Sequence, residues 1–288
     1  MNIPKNNTAI LLIHCPDQKG IVAAISDFLL KNNGNVVDIQ QHVEKDINHF
    51  FMRVEWELAD FVIPKAKIEE YFATLIGNKY QMQWQLYFSD KKPRMALFVS
   101  KMTHCLYDIL QRYMSGEWNV EIPLIIGNHE KLKTIADRFD IPFHHFKITK
   151  ATKAEQEAKE IALLREQEVD FVVLARYMQI LSDDFVKEFP NQVINIHHSF
   201  LPAFIGARPY HAAHKRGVKI IGATSHYVTA DLDEGPIIVQ HTTNVSHRDS
   251  IKDLIRKGRN LEKMVLSEAI YLQLQHKVLT YQNRTIVF

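Results

Sequence analysis

The sequence predicts an α/β protein in two parts, a βαββαβ module of the ferredoxin-like split kind followed by a larger domain on a mostly parallel sheet. Three observations lead there. The 288 residues are enough for a full core plus a smaller second domain. A short polar stretch ending in proline, Ser89-Asp90-Lys91-Lys92-Pro93, divides the chain. On either side of it, apolar strands and helices alternate in different orders.

In the first part, Ala9–His14 reads as a strand, with a turn at Pro16–Gly20. A helix is expected from Ile21 to about Asn32, because Ile21, Ala24, Ile25, Phe28 and Leu29 fall at helical spacing. Asn33-Gly34-Asn35 ends it, since these residues tolerate the left-handed conformation of a C-cap. Val36–Glu44 and Asn48–Glu57 read as a hairpin, Lys65–Ile76 as a helix and Gln81–Phe88 as the last strand. The expected organisation is a module over 1–88, a linker over 89–93 and a larger domain over 94–288.

After Pro93, strands are expected at Met95–Val99, Ile122–Ile126, Phe143–Ile148, Phe171–Leu174, Val193–Ile196 and Gly222–Val228. Helices are expected through Leu106–Tyr113, Leu132–Phe139, Lys153–Glu168 and Asp183–Glu188, with a long one over Ser250–His276 closing the domain. Continuous apolar strands between helices imply a parallel sheet covered on both faces. Ligands of such sheets lie at the carboxyl ends of strands, so the residues after Leu174 and Ile196 are the places to search.

The composition narrows the classes of function. A hydrophobic fraction of 46% and a charged fraction of 24% are those of an ordinary soluble protein. The net charge of +2 gives no reason to expect a nucleic-acid partner, and Arg256, Lys257 and Arg259 read as the solvated face of a helix. Two cysteines in separate segments, Cys15 and Cys105, argue for a reducing compartment. The apolar run Ala9–Ile13 is too short for a signal or a membrane span. A cytoplasmic protein with no membrane partner is expected.

The chemistry concentrates in two segments. Asn195-Ile196-His197-His198-Ser199-Phe200-Leu201-Pro202-Ala203-Phe204-Ile205-Gly206 follows one strand, and strand alternation puts Asn195 and His197 on the same face. Thr229-Ala230-Asp231-Leu232-Asp233-Glu234-Gly235-Pro236 follows another. Together they supply an amide donor, an imidazole and a carboxylate. No HExxH or Cys/His cluster is present, and although His211 and His214 share a helix face, no catalytic metal is expected.

Asn-Ile-His-x-Ser-x-Leu-Pro-x-Phe-x-Gly, with His-Tyr-Val-x-x-x-Leu-Asp-x-Gly-Pro-Ile about thirty residues later, resembles the formyltransferase family that uses 10-formyltetrahydrofolate. The resemblance runs from about Met95 to the C-terminus and implies a Rossmann-like formyltransferase domain. It places the family's catalytic Asn, His and Asp on Asn195, His197 and Asp233. Leu174-Ala175-Arg176-Tyr177-Met178-Gln179-Ile180-Leu181 is similar to the family's folate loop, whose backbone holds the pterin. Substrate contacts are therefore expected from Arg176, Tyr177, Met178, Ile180 and Leu181, with His226 and Asp231 as further candidates.

The implied roles follow from formamide chemistry. Asn195 and His197 donate to the formyl oxygen, Asp233 takes a proton from the attacking water, and His197 or water protonates the leaving nitrogen. His226 either orients Asp233 or fills the strand end. Asp231 either joins the site or stabilises its turn. Arg176 either touches the folate or holds its head in solvent.

Relatives that formylate glycinamide ribonucleotide carry a Gly-rich phosphate loop after the first strand of this domain. Here that position reads Val99-Ser100-Lys101-Met102-Thr103-His104, without glycine. Water then becomes the natural acceptor. Upstream, Asp17-Gln18-Lys19-Gly20-Ile21-Val22-Ala23-Ala24-Ile25 resembles an ACT domain, a small regulatory module that commonly binds amino acids. Asp17, Gly20 and Ile21 are its candidate effector residues, Gly20 because a helix N-terminus receives a carboxylate.

An ACT domain fused to such a core is the architecture of formyltetrahydrofolate deformylases. That resemblance implies a cofactor-free hydrolase supplying formate for purine synthesis, a glycine or methionine effector, and a homo-oligomer, dimer or tetramer. Two other readings stand beside it. One is a formyltransferase with an amine acceptor, against which the missing glycine loop counts. The other is an inactive amino-acid sensor, against which the complete Asn195, His197 and Asp233 set counts.

Overall fold

The structure is a computed structural model describing residues 7–203 and 209–288. Phe204, Ile205 and Gly206 of the first motif lie outside the described residues. The chain divides into two units. One takes the described residues up to Lys92 with His276–Leu279 and Ile286–Phe288; the other takes Pro93–Gln275 with Thr280–Thr285.

The first unit begins with β1 (Thr8–Pro16), α1 (Ile21–Lys31), β2 (Val36–Glu44) and β3 (His49–Glu57). A short helix α2 (Ile68–Phe72) and β4 (Gln83–Phe88) follow. The sheet order β2-β3-β1-β4, antiparallel throughout, is that of the split βαββαβ pattern. The spacing of α1 buries Ile21, Ile25, Phe28 and Leu29 against Met52, Val54 and Trp56 of the sheet core. Each such side chain contributes about 1.5–3 kcal/mol of burial.

The expected helix over 65–76 is not uniform. It opens as a 3₁₀ turn at Lys65–Lys67 and widens to a π turn over Ala73–Gly77. The Asn78 N–H closes the π turn on the Ala73 carbonyl, five residues back, and Phe72 and Ile76 both remain buried.

The second unit holds a seven-stranded sheet. In chain order its elements are β5 (Met95–Val99), α3 (His104–Met114), β6 (Ile125–Gly127), α4 (Lys133–Arg138) and β7 (Phe143–His145). Next come α5 (Lys153–Glu166), β8 (Phe171–Ala175), α6 (Asp183–Glu188), β9 (Val193–His197) and α7 (Pro209–Arg216). The order ends with β10 (Ile220–Tyr227), β11 (Ile237–Asn244) and α8 (Ile251–Leu274). Across the sheet the strands run β11-β10-β9-β8-β5-β6-β7, with β9 through β7 parallel to one another.

β10 and β11 run antiparallel beside them. Two differences from the expected strands have physical causes. β6 starts at Ile125 rather than Ile122, after Pro123, which has no N–H to give the ladder. β11 was not expected, because an edge strand carries the half-polar sequence Gln240-His241-Thr242-Thr243-Asn244. Ser225 pairs with Val239 but His226 with Ile237, so Ile238 is an extra residue, a bulge opposite His226.

The long helix α8 starts on a capping box, Ser250 with Asp253. It does not end the chain: β12 (Val278–Tyr281) and β13 (Arg284–Val287) form a hairpin after it. Among the described residues no helix is long and apolar enough to cross a membrane.

Candidate active site

The site is built on the β9–β10 ladder. His226 lies directly opposite Asn195, and Thr224 opposite His197, so both pairs project to one side of the sheet. The Asn195 Nδ2 is 3.1 Å from His226 Nε2, and His226 Nδ1 is 2.9 Å from the Tyr227 carbonyl oxygen. A carbonyl only accepts and an amide N–H only donates, so Nδ1 carries a proton toward Tyr227 and Nε2 accepts from Asn195. His226 thus takes one hydrogen of the Asn195 amide and aims the other.

His197 is held from its opposite side. Its Nδ1 is 3.1 Å from Asp233 Oδ2, and Asp233 Oδ1 lies 3.6 Å from His226 Nε2. The Asp233 loop reaches this position in a tight turn. Asp233 has φ +58, a conformation that Asp tolerates better than most residues. A Cβ on Gly235 would stand 1.8 Å from the Tyr227 carbonyl oxygen, so only glycine lets the loop press onto β10. Burial alone would raise the Asp233 carboxyl, but the hydrogen bond from His197, with the His226 ring close by, outweighs it and holds the group well below the usual carboxylate range.

The remaining ring nitrogen, His197 Nε2, is buried without a hydrogen-bond partner among the described residues. A buried polar atom left unpaired is costly, and such atoms concentrate where a ligand completes them.

The turn after His197 is pinned by residues that the sequence reading did not single out. The Thr224 hydroxyl donates to the Ser199 carbonyl at 2.9 Å and accepts from Leu201 N–H at 3.1 Å and Gln240 Nε2 at 3.0 Å. A threonine inside an apolar strand gives no sequence signal of this. His198, beside the His197 ring, is lowered to about 4 by burial and by the Arg176 charge, so it is neutral at ordinary pH.

The loop after β8 separates into two kinds of residue. Tyr177 and Leu181 are 1% and 6% exposed and belong to the core, so they meet a ligand only through their backbone. Met178 and Ile180 are exposed. Arg176 overturns the alternative of a solvated head: its side chain is 12% exposed and its Nε lies 3.5 Å from Glu262 Oε2. The glutamate comes from α8, a tertiary partner that the local sequence does not announce.

Asp231 is exposed. Its backbone carbonyl accepts from the Thr229 hydroxyl and from Glu234 N–H, which makes it a turn residue. In the first unit, Gly20 precedes α1 with φ +95 and no side chain caps the helix. Ile21 is in the core, and the Asp17 N–H donates to the Asn48 carbonyl.

Among the described residues, His104, Cys105 and Glu262 offer ligand atoms within 4.8 Å of one another. His104 Nε2 and Glu262 are already hydrogen-bonded at 2.7 Å, and burial, with Glu262 adding to it, keeps the Cys105 thiol protonated. Arg176 completes a cluster in which a divalent cation would meet a guanidinium. His211 and His214 are both exposed on α7.

Beneath the β8 loop, the Tyr177 hydroxyl donates to Glu160 Oε1 at 3.2 Å, and Glu157 Oε1 accepts from Ser182 N–H at 3.2 Å. Burial pushes the Glu160 carboxyl up to about 8; the Tyr177 hydrogen bond pulls it down, and Glu157 raises it again. A carboxyl raised in the folded state supports the fold fully below the unfolded value near 4.5, and that support is lost as pH climbs to about 8. The melting temperature is therefore expected to fall between about pH 5 and pH 8.5, and Glu160→Gln to reduce that fall by at least about 4 °C. Identical pH slopes for both proteins would remove Glu160 as the cause.

Comparison with known proteins follows the same lines. The formyl transferase family model matches residues 93–270, and the ACT domain model matches 9–58. A protein of Synechocystis sp. named formyltetrahydrofolate deformylase is 56% identical over 99% of this chain and 99% of its own. One of the same name from Bacillus subtilis is 46% identical, over 96% and 93%. The crystal structure of a formyltetrahydrofolate deformylase from Pseudomonas syringae superposes with a TM-score of 0.96 at 42% identity, covering 100% of this chain and 96% of that one. A glycinamide ribonucleotide transformylase from Symbiobacterium toebii matches 71% of this chain and 98% of its own, with a TM-score of 0.65 at 30% identity.

Proposed function

The chain belongs to the formyltetrahydrofolate deformylase family and hydrolyses 10-formyltetrahydrofolate to formate and tetrahydrofolate, and we propose that Asn195, His197 and Asp233 carry the reaction. The observation that supports this assignment is the unpartnered His197 Nε2 beside an aimed Asn195 amide.

The roles differ in one respect from the expected ones. The Asp233 carboxylate is engaged at Oδ2 by His197 Nδ1–H and held below the usual range, so it orients that ring rather than taking the proton of water itself. With its Nδ1–H on Asp233, His197 presents a lone pair at Nε2 and removes that proton. The hydroxide adds to the formyl carbon, and the free Asn195 N–H donates to the oxygen that becomes negative. Asp233 balances the imidazolium as a fixed counter-charge. The C–N bond then breaks as His197 returns its proton to the leaving nitrogen, and the formic acid, which keeps the added oxygen, loses its proton to solvent as formate.

No cofactor enters this scheme, and the pterin rests on the backbone of the β8 loop with Met178 and Ile180 against it. We assign the catalytic domain to 94–288, the linker to 89–93 and the ACT domain to 1–88, place the enzyme in the cytoplasm, and assign its formate to purine synthesis. Purified protein should release formate and tetrahydrofolate in equal amounts with no added amine or metal. Turnover that appears only when an amine is supplied would favour the transferase reading.

The ACT domain is proposed to bind an amino-acid effector, glycine or methionine, at the uncapped start of α1 around Asp17 and Gly20. The edge strand β2 exposes Val36, Val37 and Ile39, which supports a dimer or tetramer built through this domain. Titrating glycine and methionine into the same formate assay, with particle mass followed by light scattering, tests both. Unchanged turnover and a monomer mass would remove them.

A further inference from the structure

A second cavity, about 160 Å³ in volume, lies beside the catalytic strand, with Arg176, His104, His198, Tyr210, Arg259 and Glu262 in its wall. Its polar groups are unequally satisfied. Glu262, almost fully buried, accepts from Tyr210 OH and lies at hydrogen-bond distance from His104 Nε2, both at 2.7 Å. Arg176 points at the same carboxylate from 3.5 Å, yet among the described residues its Nε and Nη1 are buried with no hydrogen-bond partner. Burying guanidinium N–H groups without hydrogen bonds costs free energy that a 3.5 Å ion pair only partly offsets, and an acceptor entering the cavity would complete them.

The position of this fork relates it to the reaction. His198 forms part of the cavity wall, and its ring centre is 5.3 Å from that of His197. Because His198 stays neutral, Arg176 is the cation an anion meets on that side, and the Glu262 carboxylate behind it is already held by Tyr210 and His104. A groove of about 460 Å³ shares His104, Ile255 and Arg259 with the cavity and adds Lys252, Arg256 and Lys263.

Those four cations stand at i, i+4, i+7 and i+11 of α8, a single helical face. Lys252, Arg259 and Lys263 make no ion pair among the described residues, and Arg256 has only Asp253 at 3.6 Å. The cationic run of α8 is therefore more than a solvated face: part of it lines a groove leading from a buried guanidinium to the surface.

We infer that the Arg176 cavity receives the small carboxylate product, formate, and that the cation row of α8 is its route out. This rests on the hydrolase reading, which supplies formate one residue away from the cavity wall. A carboxylate fits the planar donor fork of an arginine, and its charge is drawn along a row of like cations.

Proton saturation-transfer NMR of sodium formate with the full-length protein reads this binding without turnover, so its failure leaves the hydrolase assignment standing. Saturation transfer is expected, with sodium chloride at matched ionic strength as the control. Formate should also inhibit turnover when tetrahydrofolate appearance is followed. Arg176→Lys keeps the charge and loses the fork, and should weaken formate binding about tenfold. Arg259→Ala, at an exposed position that cannot disturb the core, should weaken it at low salt and much less near 1 M salt. Formate that gives no saturation transfer with the native protein, is displaced equally by chloride, or binds the Arg176 and Arg259 variants as it binds the native chain would overturn the inference.

Discussion

Asp233→Asn lowers turnover by about 10³–10⁴-fold while substrate binding stays within a few-fold of normal. The substitution preserves volume, and asparagine is among the few residues that accept the φ of +58 found there, so the loop keeps its turn. What it removes is the negative charge 3.1 Å from His197 Nδ1. The imidazolium formed during water attack then has no counter-charge, and the neutral ring loses the partner that fixes its tautomer. Measuring kcat and KM separately checks the assignment. A kcat within tenfold of the native value would take Asp233 out of the mechanism.

Removing the donor and the base together is expected to cost much less than the product of the separate losses. Asn195→Ala alone should reduce kcat by about 10²–10³-fold, the usual cost of one oxyanion donor. His197→Ala should cost at least as much, since proton transfer and orientation both pass through its ring. Neither residue works without the other: a hydroxide with no oxyanion donor and a donor with no hydroxide are equally idle. The double variant should sit close to the worse single variant in kcat, and strictly multiplicative losses would mean that the two act in separate steps.

Much of this was legible in the sequence because it is local. Asn195 and His197 alternate on one strand, Asp233 follows another strand within a glycine turn, and neither pattern suits a core. What was not legible depends on pairing across the sheet or on distant helices. Which residue faces Asn195 is decided by the antiparallel register of β9 and β10, so the role of His226 as the orienting acceptor for the Asn195 amide was open until that register was known. The buried head of Arg176 depends on Glu262, which arrives on a helix at the far end of the domain. β11 went unread because its half-polar sequence resembles a loop when no neighbouring strand is in view, and the β12–β13 hairpin because each of its strands is only 4 residues long.

The extra residue in β11 has a consequence for how this chain can change length. Ile238 belongs to β11, the outermost strand, so the irregularity is absorbed at the margin while β10 keeps unbroken pairing with β9. An insertion or deletion in β11 can be taken up by shifting or closing that bulge. The same event inside β9 or β10 would slide the pair by one position and send the His226 imidazole to the opposite face from Asn195. The inner strands act as a ruler with no slack, and drift in length is confined to the strand beyond them.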